Sequence, residues 1–205
     1  MACGNFYGHS FFLFIGAFLK PRKKREWRKL GIFKAFIVAL YAEMYGFPLT
    51  IYILSTFAGL ELSLGHIEGH LWASLLGDGG VGAIVEMGSG YLIKGIGIVL
   101  VIIAWRQIYK AEDSLVADGI YSLVRHPQYS GIILITTGMI IHWPTILTII
   151  MWPVLVLAYI HLEKVEEKEL KSKFPEQYSD YKKKTGMFLP PVRRVFSIIK
   201  QKTEV

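Results

Sequence analysis

The chain has 205 residues, is 53% hydrophobic and has a mean hydropathy of +0.40, too apolar for an ordinary soluble domain. One cysteine, Cys3, excludes an intrachain disulfide and any site built on several thiolates. The net charge of +7 is confined to short stretches: seven of the 23 Lys and Arg lie in residues 20–29 and eleven follow residue 163. No aromatic and basic interleaving of a nucleic-acid surface accompanies them, so the charge points to a membrane surface.

The composition therefore predicts a single all-α integral membrane domain of about five transmembrane helices, ending in a helical hairpin and a cytosolic amphipathic tail. Residues 1–10 carry no Lys or Arg and lack the charged start of a cleaved signal peptide. The first span is expected at residues 3–19, interrupted by Gly4, Gly8 and Gly16. Residues 20–29 read as a basic connector, with Trp27 at the interface.

Gly31 to Leu60 reads as a long second span bent at Pro48, with Glu43 inside it. Glu61 to Gly80 holds acids, His66 and His70 but no Lys or Arg, and belongs on the non-cytosolic side. The two histidines lack a third placed ligand and read as solvated. Gly77-Asp-Gly-Gly-Val-Gly82 imitates a dinucleotide loop but has no strand before it, so it reads as a flexible turn. A third span over about Val81 to Ile108 contains Gly90, Gly95 and Gly97, which would let another helix approach closely, and Lys94, expected to pair with Glu43.

Next comes Gly119-Ile-Tyr121-Ser-Leu-Val-Arg125-His126-Pro127-Gln128-Tyr129-Ser-Gly131, followed by two apolar arms. Pro127 to Trp143 and Thr145 to His161 are seventeen residues each, about 25 Å as helices, with Trp143-Pro144 as the turn between them. Equal arms bring Arg125 to Tyr129 back to Glu163, Glu166 and Glu167. Pro127 suits the first turn of its helix. A helix N-terminus favours an anionic group and the carboxylates a cationic one, so a zwitterionic or sulfonium-bearing ligand would suit both.

Basic residues per connection run zero, seven, zero, three and eleven. This alternation predicts a non-cytosolic N-terminus, with the C-terminus and the hairpin's polar end in the cytosol. The fifth helix is expected to leave the bilayer through Lys164 to Lys173. Tyr178, Tyr181, Phe188 and Leu189 would lie back against the interface, and Pro190-Pro191 would end the ordered part.

The run G-x-Y-x-x-x-R-H-P-x-Y-x-G, then E-E-x-x-L at Glu166 to Leu170, then Phe174, Tyr178 and Tyr181, resembles the isoprenylcysteine carboxyl methyltransferase family and its phospholipid methyltransferase relatives. The resemblance covers about the last hundred residues. It implies membrane helices of low specificity over 1–100, a methyltransferase region over 101–195 and a flexible tail over 196–205. The implied cofactor is S-adenosylmethionine, leaving as S-adenosylhomocysteine. Gln107, Asp113, Ser114, Leu115, Val116, Tyr121, His126, Pro127, Gln128, Tyr129 and Glu166 match positions around that cofactor, and no metal is expected.

Arg125 and Glu167 are the catalytic candidates. Arg125 could hold a substrate carboxylate or a Glu of the opposite arm, and Glu167 could replace Glu166 in contacting the cofactor. The implied acceptor, the carboxylate of an isoprenylcysteine entering from the bilayer, is ionised at neutral pH and needs no general base. The chain departs from the family at Leu162, where the eukaryotic carboxyl methyltransferases carry an Arg implicated in substrate binding. A phospholipid N-methyltransferase, a non-catalytic membrane scaffold and a nicotinamide-dependent reductase are the other readings.

Overall fold

The computed structural model describes residues 24–45, 49–59, 72, 79–111 and 114–191, and these form helices joined by short connections, with no strand among the described residues. Helix α1 spans Lys24–Tyr45, α2 Leu49–Phe57, α3 Gly79–Lys110, α4 Pro127–His142, α5 Ile146–Lys173 and α6 Pro175–Lys184. A 3₁₀ turn at Gly119–Ser122 precedes α4. The expected first span, His66, His70 and Gly77–Asp78 lie outside the described residues, whereas Gly79 to Gly82, expected in a flexible turn, form the start of α3.

Helix α1 starts at Lys24, so the second half of the expected connector is helical. Lys, Arg, Glu and Trp are all helix-compatible, and no Pro or Gly follows Pro21 until Gly31. The expected second span is described as two helices, α1 to Tyr45 and α2 from Leu49; Pro48, the expected bend, lies outside the described residues.

Helices α3 and α4 pack backbone against backbone, antiparallel. A Cβ added at Gly97 would lie 2.6 Å from the Gly131 carbonyl oxygen, and one at Gly138 would lie 2.8 Å from that of Gly90. Among apolar helices in lipid, burial adds little, so close approach through glycine is what brings dispersion contacts into range. Gly90 and Gly97 do what the sequence suggested. Gly95, expected to join them, faces open space.

The hairpin forms as its turn signals require. Pro127 opens α4 at its first position. Thr145 caps α5, its hydroxyl accepting from the Thr148 N–H at 3.1 Å. The Ile146 N–H donates to Thr50 Oγ1 at 2.9 Å, fastening α2 to the turn. Phe36 of α1, Val101 of α3, Tyr129 and Ile132 of α4, and Leu155 and Tyr159 of α5 form one buried core. That core lies directly beneath the polar end of the hairpin.

Two described helices, Gly80–Lys110 and Ile146–Lys173, are long and apolar enough to cross a bilayer, fewer than the five expected. Helix α4 has 16 residues, about 24 Å, short of the roughly 30 Å hydrocarbon layer. The apolar stretch of α1 is only Phe33–Ala42, because its first turns are basic. Lys94, expected opposite Glu43, places its ammonium over the Tyr91 ring, 4.1 Å from the centroid, and the Glu43 side chain lies outside the described residues.

In the tail, Tyr178 and Tyr181 are buried within the protein, Phe188 packs against the core and Leu189 is 79% exposed.

Candidate functional site

Sequence-distant polar groups meet where α4 begins and the apolar part of α5 ends. The approach to α4 is set by Gly119, whose positive φ of 54° and close contact with Gln107 leave no room for a side chain. From there Val124 pairs with Gly186 in an isolated parallel bridge. The Arg125 N–H donates to the Gly186 carbonyl at 2.8 Å and the His126 N–H to that of Met187 at 3.3 Å. Ser130 Oγ donates to the Phe188 carbonyl at 2.7 Å. Thus the chain after α6 is laid across the entrance to α4.

Glu163, Glu166 and Glu167 sit at i, i+3 and i+4 on α5, one helix face. That face is turned toward α4. Tyr129 donates its hydroxyl to Glu166 Oε1 at 2.7 Å, and His126 Nδ1 lies 3.5 Å from Glu166 Oε2. His126 Nε2 lies 3.5 Å from Glu163 Oε1. Arg125 Nε is 2.7 Å from Glu167 Oε1 and its Nη2 is 3.7 Å from Glu163 Oε1. Lys182 of α6 closes on the other oxygen of Glu167.

The cluster is almost dry: Glu163 is fully buried and His126 is 3% exposed. In such surroundings a carboxylate without a partner would be strongly disfavoured, so the cations are structural requirements. Arg125 is committed in several directions. Besides the two glutamates, its Nη1 donates to the Thr185 carbonyl and, at 3.4 Å, to that of Lys182. Its guanidinium therefore joins α4, α5 and the end of α6. Tyr178, beside Glu167, has its hydroxyl ionisation pushed above the usual phenol range by burial and then by that carboxylate.

Three donors, one each from His126, Glu163 and Glu167, lie within 4.8 Å of one another, a spacing that can hold a metal ion. Here Arg125 bridges both carboxylates and Lys182 joins one of them, so protein cations supply the positive charge.

The expected site residues divide into groups. Arg125, His126, Tyr129, Glu166 and Glu167 are brought together, with Pro127 buried among them. Glu166 faces Tyr129 and His126, whereas Glu167 faces Arg125. Gln128 and Tyr121 form a neighbouring pair, with Tyr121 donating to Gln128 Oε1 at 2.9 Å. The Tyr121 hydroxyl is also held un-ionised, by burial and then by Tyr181 and Tyr129. Gln107 packs against Gly119 on that side.

Ser114 is exposed and Leu115 and Val116 are half-buried in the loop after α3, with no hydrogen bond from them to the carboxylates; Asp113 lies outside the described residues. The first turn of α4 offers fewer free amides than a bare helix start. Pro127 has none, and the Tyr129 and Ser130 N–H groups donate to the His126 carbonyl, which leaves Gln128.

Sequence reasoning placed Glu163 in the cluster without giving it a role, and passed over Lys182 and the Thr185 carbonyl. The signal for Glu163 was its three- and four-residue spacing from Glu166 and Glu167. Lys182 and Thr185 follow a chain reversal at Phe174 that no periodicity announces.

Residues 85–177, running from α3 to the first turn of α6, match the family model described as phospholipid methyltransferase, which covers the isoprenylcysteine carboxyl methyltransferase relatives. The stretch includes both halves of the cluster. No curated protein and no solved structure matches the chain.

Proposed function

We propose that this protein is a membrane methyltransferase that uses S-adenosylmethionine and esterifies the carboxylate of an isoprenylcysteine. The observation that carries the reading is the junction of His126 and Tyr129 with Glu166, two matched motifs 37 residues apart joined by a 2.7 Å hydrogen bond. Methyltransferases of this family generally use that cofactor.

The residues present fit it chemically. Glu166 and Tyr129 offer an acceptor and a donor for the ammonium and ribose hydroxyls, and the Gln128 N–H at the start of α4 suits the carboxylate. Binding would exchange the Tyr129–Glu166 contact for contacts to the ligand. The cofactor supplies an electrophilic methyl group on a sulfonium. What remains for the chain is to hold the acceptor in line and keep water out, which the buried core of Tyr129, Tyr159 and Leu155 favours.

Arg125 then acts through position: by holding Glu163 and Glu167 it keeps α4 and α5 in register and leaves Glu166 and Tyr129 to the cofactor. The five-span topology belongs to the same reading, with residues 3–19, α1 with α2, and α4 as further membrane-embedded elements and the cluster at the cytosolic face. A water-borne cofactor and a lipid-borne acceptor can meet only at such a boundary.

A phospholipid N-methyltransferase is the second reading, favoured by the description of the matched family and by Leu162 at the family's substrate Arg position. The two separate by product. Full-length protein in detergent is expected to bind S-adenosylhomocysteine and to transfer labelled methyl to a farnesylcysteine analogue, giving an ester that releases methanol in base. A base-stable label in phosphatidylethanolamine would establish the second reading, and absence of S-adenosylhomocysteine binding would remove both.

A further inference from the structure

A groove of about 760 Å³ opens between α5 and α6, on the outer side of the carboxylate cluster. Its walls carry Lys164, Lys168 and Lys171 from α5 and Lys182 and Lys183 from α6, against one lining carboxylate, Glu167. Glu167 already holds Arg125 and Lys182, and Lys183 pairs with Asp180 at 2.9 Å. Lys164, Lys168 and Lys171 make no ion pair among the described residues.

Their positions at i, i+4 and i+7 put these three ammonium groups on one helix face, where like charges repel and an anion between them would relieve the repulsion. Height adds a second constraint. The apolar arm of α5 ends at His161, so Lys164 and Lys168 lie about 4.5 and 10 Å beyond it along the axis. The headgroup layer on each side of the hydrocarbon is roughly 5–8 Å deep, and lysine side chains reach back toward it. The Lys164 end of the groove thus stands at phosphate level, with Lys168 able to reach back to it, and its volume falls in the range of small-ligand sites, about 300–1,000 Å³.

We propose that this groove binds the phosphate headgroup of an anionic membrane lipid. The lipid's charge neutralises the α5 lysine face, and its acyl chains run down beside the apolar arm of the same helix. The proposal requires the membrane placement of α5 and is independent of which acceptor receives the methyl group.

Native mass spectrometry of the full chain, released from detergent micelles containing equal amounts of phosphatidylglycerol and phosphatidylcholine, tests it. The unmodified protein is expected to retain phosphatidylglycerol over phosphatidylcholine by about ten-fold or more, given roughly five-fold per lysine near an anionic surface. The combined Lys164→Gln, Lys168→Gln and Lys171→Gln variant is expected to lose that preference. Lys173→Gln, on the opposite face of α5, is expected to keep it. Equal retention of both lipids by the unmodified chain, or an undiminished preference in the triple variant, overturns the proposal. Displacement of the lipid by millimolar inorganic phosphate also overturns it, since the groove would then be a site for the free anion.

Discussion

The α3–α4 contact and the α4–α5–α6 junction hold the same helix by opposite means. Along α3 and α4 no ion pair joins the helices among the described residues: Gly90, Gly97, Gly131 and Gly138 let two backbones touch, with the aliphatic stem of Lys94 packed against Gly138. At the start of α4, Arg125, His126, Glu163, Glu166 and Glu167 form a buried ionic network, which the half-exposed Lys182 joins from α6. The first contact is mainly dispersion between closely approaching backbones, which is lost gradually as the fit loosens. The second is a set of charges removed from water, in which loss of one member leaves the others unpaired. A scaffold can be built either way, but only the second arrangement presents groups that a polar ligand can address.

Breaking the network should have the largest effect. Arg125→Ala leaves Glu163 and Glu167 without their shared cation and is expected to destabilise by about 3–5 kcal/mol, read as a large drop in the thermal midpoint in detergent. A midpoint equal to that of the unmodified chain would falsify the clamp. In the glycine contact, Gly97→Ala is expected to cost about 1–3 kcal/mol, because the new methyl meets the Gly131 carbonyl at 2.6 Å. Gly95→Ala, facing open space, should be neutral or slightly stabilising as a helix substitution, which makes the pair an internal control.

Smaller still is the change that separates ligand binding from folding. Tyr129→Phe removes one hydrogen bond to Glu166, about 0.5–1.5 kcal/mol of stability. Calorimetric titration should show its affinity for S-adenosylhomocysteine lowered several-fold, and unchanged affinity would exclude the Tyr129–Glu166 junction as the cofactor contact. Lys182→Gln is expected at the bottom of the series, below about 1 kcal/mol, since its side chain is half exposed and its ion pair is screened by solvent.

Much of the α4–α5 hairpin was legible. Pro127 and Trp143-Pro144 mark the ends of one arm, and the polar residues recur at both ends of the pair. The glycines of α3 were legible as a type but not one by one, because which face of an apolar helix meets protein is decided by its neighbours, as Gly95 shows. The number of spans was overread: an apolar run states that residues tolerate lipid, not that they cross it. In the cluster, Glu163, Glu166 and Glu167 were legible together from their helical spacing, whereas Lys182 and Thr185 arrive through the reversal at Phe174.

By itself the sequence determined the helical class, the hairpin and the chemistry present at its polar end, since these follow from local periodicity, turn residues and charge. Only the tertiary structure decided which glutamate meets which partner: Glu166 with Tyr129, Glu167 with Arg125, Glu163 between Arg125 and His126. Adjacent residues on a helix differ in direction by about 100°. Their assignment therefore depends on the rotation of α5 against α4, which is fixed by packing at Tyr159, Leu155 and Tyr129 rather than by any motif.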